Sequence, residues 1–172
     1  EFVRNLTPPS QIALVGKEIG VYGVELGAAT AVNAAAIDRG LKAIVLDSVP
    51  ADSDALVVDA VSRRFPFAST FTSRMAKLGT FLYFFDGCYE RDTACDTAKK
   101  IDGRNILLLG GIDTPDFQDS TSRLSKCFPA GNKIETKTDL SPSGFGIINA
   151  SIEQSEAYDR RIIEFFRNNL GN

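Results

Sequence analysis

Histidine and tryptophan are absent from this chain, methionine occurs once, and there are three cysteines. Without an imidazole, a hydroxyl or carboxylate nucleophile has no ordinary general base, and metals lose their commonest nitrogen ligand. Cys88, Cys95 and Cys127 lack the C-x-x-C spacing of zinc and thiol-exchange sites. No metal site and no cofactor is therefore expected. Cys88 and Cys95 are near enough in sequence to bridge in an oxidising compartment, and equally suited to remain free thiols. No apolar run reaches the length of a membrane span, and the start Glu1-Phe2-Val3-Arg4 shows no basic-then-apolar export pattern. A soluble protein is expected, its compartment open.

What is present fits one globular domain over residues 1–172, since 44% of the residues are apolar. The net charge is −3, and lysines and arginines are scattered rather than clustered. That distribution gives no electrostatic footprint for nucleic acid or an anionic membrane.

The segment Ile19 to Ala31 organises the rest. Ile19, Val21, Tyr22 and Val24 make an apolar run of strand length. An alanine-rich helix over Ala28–Ala36 follows, closing near Arg39 and Gly40. Between them lies Gly23-Val24-Glu25-Leu26-Gly27. The two glycines, having no Cβ, are expected to let the helix cross close over the strand and to push Glu25 out above the sheet. A second strand follows from Leu41 to Asp47, ending at Ser48.

These strands and the helix between them resemble the nucleophile elbow of the α/β-hydrolase superfamily, in the serine esterase and peptidase branch related to prolyl oligopeptidase and the serine aminopeptidases. That family reads Gly-x-Ser-x-Gly where this chain has Glu25 at the centre. The resemblance implies an α/β fold: a parallel sheet flanked by helices, corresponding to the C-terminal half of an α/β-hydrolase. In full-length relatives the elbow follows roughly four strands, together with the loop that supplies the second oxyanion-hole amide. Here 18 residues precede the elbow strand. The resemblance also implies a cap-like insertion over residues 65–100, rich in phenylalanine from Phe65 to Phe85. Plain packing on the sheet is weighed above a cap or a protein-gripping surface there.

Short helices are expected at Gln11–Val15, at Ala55–Arg64 with Asp54 as N-cap, and within Cys88–Lys100. A buried strand is expected at Asn105–Gly111, a helix at Phe117–Phe128 and an edge-type strand at Lys133–Thr138. The sequence Ser151-Ile152-Glu153-Gln154 has capping-box spacing, opening a helix with the stripe Tyr158, Ile162, Phe165, Phe166 and Leu170.

Carried over residue by residue, the resemblance puts Glu25 in the nucleophile's place, Asp113 or Thr114 in the acid's, and Phe145 in the histidine's. With nucleophile and base both replaced, no catalytic residue is expected. One enzymatic alternative makes Glu25 a carboxylate nucleophile, as in the aspartate-elbow members of the fold. Another makes it a general base beside Asp113 or Asp116. The plainer readings pair Glu25 with an arginine, or leave it solvated, at a helix N-terminus. They make Asp113 and Asp116 turn or capping residues beside Pro115, and Ser48 and the hydroxyls of Thr138 and Ser141 solvated.

The functional expectation is a catalytically inactive α/β-hydrolase-like protein acting as a structural or interaction subunit of a larger assembly. The alternative is a hydrolase of ester or amide bonds using Glu25, or a fragment of one. The strand carrying Ile19, Val21, Tyr22 and Val24 is central in the resembled fold. Alone it would be an open edge, so a second copy or another protein subunit is expected to cover it.

Overall fold

The computed structural model describes residues 18–51, 69–83 and 93–170. The helices expected at Gln11–Val15 and Ala55–Arg64, and Cys88, lie outside these residues.

Four strands form one parallel sheet in chain order: β1 (Ile19–Val24), β2 (Leu41–Asp47), β3 (Asn105–Leu109) and β4 (Lys133–Lys137). Helix α1 (Leu26–Ile37) joins β1 to β2. Between β2 and β3 come α2 (Ser69–Tyr83) and the short α3 (Ala94–Ala98). Helix α4 (Pro115–Ser125) leads to β4, and a 3₁₀ helix (Gly144–Asn149) precedes the closing α5 (Ile152–Asn169).

Parallel strands covered on both faces carry apolar residues on both, and β2 and β3 do so. Ile44, Leu46, Ile106 and Leu108 meet Ala28, Ala31, Val32 and Ala35 of α1, with Ala98, Ile101, Leu124 and Phe128 completing that layer. Ala43, Val45, Leu107 and Leu109 point the other way, onto Tyr158, Ile162 and Phe165 of α5. The alanines of α1 keep that helix close to the sheet. The capping box at Ser151 and Gln154 forms as its spacing implies.

The two outer strands differ. β4 reads Lys-Ile-Glu-Thr-Lys and is mostly exposed, with charges that discourage further pairing. β1 reads Ile-Gly-Val-Tyr-Gly-Val, carries no charge, and buries only Gly23 fully. Among the described residues β1 pairs with β2 alone. The Glu25 amide donates to the Asp47 carbonyl at 2.9 Å. Backbone groups alternate sides along a strand, so those of Tyr22 and Val24 face away from β2.

Several local expectations shift. Helix α1 starts at Leu26, directly out of the Glu25 turn, and ends at Ile37, where the Asp38 carboxylate accepts the Gly40 amide at 2.8 Å. Helix α4 starts at Pro115, whose fixed φ suits a first helical turn, and ends at Ser125. The side chains of Phe71, Met75, Leu78 and Leu82 on α2 are exposed, so plain packing on the sheet does not describe them. Cys95 pairs with Cys127 rather than with Cys88. Packing of α3 beside α4 brings the two together across 32 residues, a proximity that spacing along the chain does not register.

Candidate active site at the carboxyl edge of the sheet

Glu25 occupies the turn from β1 into α1 with φ 48° and ψ −109°, a backbone conformation that disfavours any residue with a Cβ. Gly23 makes the turn possible, because a Cβ there would strike the backbone of Gly27 and Ala28. The expectation for Gly27 fails: a Cβ at that position meets nothing within 4 Å. One glycine, not two, is sterically required.

The Glu25 carboxylate is half-buried and reaches across to the 3₁₀ helix, where its Oε1 accepts the Phe145 amide at 3.4 Å. Among the described residues no arginine pairs with it, and it is not simply solvated, because the turn aims it at the opening of that helix. Asp47, fully buried at the end of β2, accepts the neighbouring Gly144 amide at 2.8 Å. Asp113, after β3, accepts the Ser143 amide at 3.3 Å and the Ser143 hydroxyl at 3.2 Å. Three consecutive amides thus donate to three carboxylates from the ends of three successive strands. Gly144 has φ 56°, and a Cβ on it would lie 2.9 Å from Ser48 Oγ and 3.1 Å from Glu25 Oε1, so a larger residue would not fit.

Asp47 is the hub of a second network. Its carboxylate also accepts the Ser48 hydroxyl, at 2.9 Å, and the Tyr158 phenol. The Tyr158 proton is thereby committed, so the Tyr22 hydroxyl, 2.7 Å away, donates to Tyr158. Burial, then the charge of Asp47, pushes the Tyr158 phenol far above its ordinary range. Tyr22 is also raised, chiefly by burial. Ser48, expected in solvent, is fully buried at φ 54° because Gly144 closes over it.

No protein-family model matches the chain, and no curated protein matches it. Solved structures do. An esterase from Pyrococcus furiosus is similar over 99% of this chain and 59% of its own, at 18% identity and a TM-score of 0.60. A dienelactone hydrolase from Anabaena variabilis is similar over 99% of this chain and 56% of its own, at 11% identity and a TM-score of 0.58. An acetyl xylan esterase from Thermoanaerobacterium covers 95% of this chain with 48% of its own, at 15% identity and a TM-score of 0.55. The chain carries part of an α/β-hydrolase fold. It spans 48–59% of the length of these three enzymes.

Within that α/β-hydrolase fold the three positions named from sequence gather at one edge of the sheet. Glu25 and the Phe145 backbone are in contact. Asp113 and Thr114 both lie within hydrogen-bond range of the Ser143 hydroxyl, Thr114 at 3.2 Å. Asp113 lies in the turn before α4, as one of its plainer readings has it, and its carboxylate holds the neighbouring loop instead of capping the helix, while Asp116 sits in the first turn of α4. The edge offers carboxylates, amides and hydroxyls but no imidazole. Among the described residues no three side chains converge as metal ligands, and no helix is long and apolar enough to cross a membrane.

Sequence reasoning missed Asp47, Ser143 and Tyr158 as members of this edge. Asp47 had a readable signal: a carboxylate closing a strand otherwise apolar on both faces must be buried and hydrogen-bonded. Tyr158 is hidden in an apolar helical stripe, where a phenol reads as packing.

Proposed function

We propose that this chain is a catalytically inactive α/β-hydrolase-like subunit, retained for its shape and completed by another polypeptide along β1. The contact between Glu25 Oε1 and the Phe145 amide carries the reading. Where a serine hydrolase has a hydroxyl facing a base, a carboxylate here is engaged by the main chain of a phenylalanine. Neither group supplies the hydroxyl or the base of the serine mechanism.

The contrast between β1 and β4 supports the partnership. β4 has the charges of a finished edge, whereas β1 has the two-faced apolar composition of a strand with neighbours on both sides. The occupant is a strand from a second copy or from another protein subunit. The Cys95–Cys127 disulfide fits an oxidising compartment.

The strained backbone at Glu25 favours one second reading, a hydrolase of ester or amide bonds using that carboxylate. A serine-directed fluorophosphonate, a panel of short acyl esters and light scattering separate the two. The inactive-subunit reading expects no labelling, no turnover, and an assembly that dissociates in Val24→Pro, which blocks an outward amide without touching the β1–β2 ladder. Ester turnover abolished by Glu25→Ala, or a monomer unaffected by Val24→Pro, overturns it.

A further inference from the structure

We infer that residues Ser143–Asn149 form a latch, held shut by carboxylates from three successive strand ends and able to open as a unit when they are removed. Ser143, the N-cap of the 3₁₀ helix, does not cap it with its own side chain. Its hydroxyl instead accepts the Gly111 amide at 2.8 Å and faces Asp113. The capping is supplied from outside. Asp113 takes the Ser143 amide, Asp47 the Gly144 amide and Glu25 the Phe145 amide, at 3.3, 2.8 and 3.4 Å. The middle grip is short and buried, the outer two longer and nearer solvent.

These bonds tie the first turn to the strand ends, and they are charge-assisted, which makes them stronger than amide–carbonyl bonds. No ion pair among the described residues reaches any of the three carboxylates. Among the described residues it is amide and hydroxyl dipoles that face their charge. Farther along the segment, Phe145 and Ile148 are exposed, and the half-buried Ile147 is the side chain that packs against the core layer with Tyr158, so apolar packing opposing the movement is small. What the closed latch covers is specific: Gly144 lies over Ser48, and both Ser48 and Asp47 are fully buried beneath it. Opening would present a carboxylate and a hydroxyl at the head of β2 that the resting fold hides.

Amide hydrogen exchange on the intact protein tests this without knowledge of any substrate or partner. Glu25→Ala and Asp113→Ala each remove an outer grip and leave buried Asp47 in place. In each, amides 144–149 are expected to exchange about tenfold faster, the factor that loss of one charge-assisted bond implies. Those of β3 keep wild-type protection, and the faster exchange is insensitive to low denaturant, as local opening is. Wild-type exchange at 144–149 in both variants overturns the latch. So does acceleration there that rises in step with β3, which would mean general loss of stability instead.

Discussion

The carboxylate of Glu25 and the main-chain amide of Phe145 meet across 120 residues of sequence. To make that contact Glu25 holds a backbone conformation costing about 1–3 kcal/mol for a residue with a Cβ. Glu25→Gly and Glu25→Ala both delete the carboxylate, but only glycine relieves the backbone. The glycine variant is expected to be more stable than the alanine variant by about 1–2 kcal/mol, read from denaturant midpoints. Equal midpoints would mean the turn is unstrained.

Asp47 satisfies three buried donors at once, from Gly144, Ser48 and Tyr158. Asp47→Ala strands all three and is expected to cost roughly 2–4 kcal/mol in urea unfolding. Tyr158→Phe removes one of the three donors to Asp47 and the acceptor of the part-buried Tyr22 hydroxyl, leaves the Gly144 and Ser48 bonds in place, and should cost less. A loss under about 0.5 kcal/mol for Asp47→Ala, the range of ordinary surface changes, would contradict the role as hub.

The phenol of Tyr158 is held protonated beyond its ordinary value of 10.0. Its folded pKa is raised, so the stability it contributes is complete below about pH 10 and falls as pH rises above the unfolded value. Once the unfolded chain ionises, each further pH unit costs about 1.4 kcal/mol from this one group. Tyrosinate absorbance should show Tyr158 ionising only with unfolding. A smooth titration of all four tyrosines in the folded protein would refute this.

Reduction of Cys95–Cys127 reopens a span of 32 residues. Chain-entropy reasoning puts the loss at about 3–4 kcal/mol, relative to the oxidised protein. Thermal unfolding with and without reductant, checked by the Cys95→Ser/Cys127→Ser double variant, measures it.

The frame of the molecule was legible because it rests on periodicity and on one local motif. The apolar runs at Ile19, Leu41 and Asn105 became β1, β2 and β3, and the capping box at Ser151 became the start of α5. The meeting of Glu25, Asp113 and Phe145 at one edge could be located only through the family resemblance. What stayed hidden depends on distance along the chain. Cys95 finds Cys127, Asp47 finds Tyr158 and Ser143 finds Gly111 through packing, and no spacing rule encodes such pairs. Ser48 was misjudged because a hydroxyl next to a strand end looks wet until Gly144 is laid over it. Gly27 was misjudged because a motif was given a steric reason that only Gly23 needs.

Of the two outer strands among the described residues, β1 carries no charge and β4 carries Lys133, Glu135 and Lys137. On the proposed reading that a partner strand takes β1, growth by strand addition proceeds in a single direction and stops once that margin is taken. Two copies meeting there would cap each other, so even a concentrated solution should yield closed pairs rather than fibres.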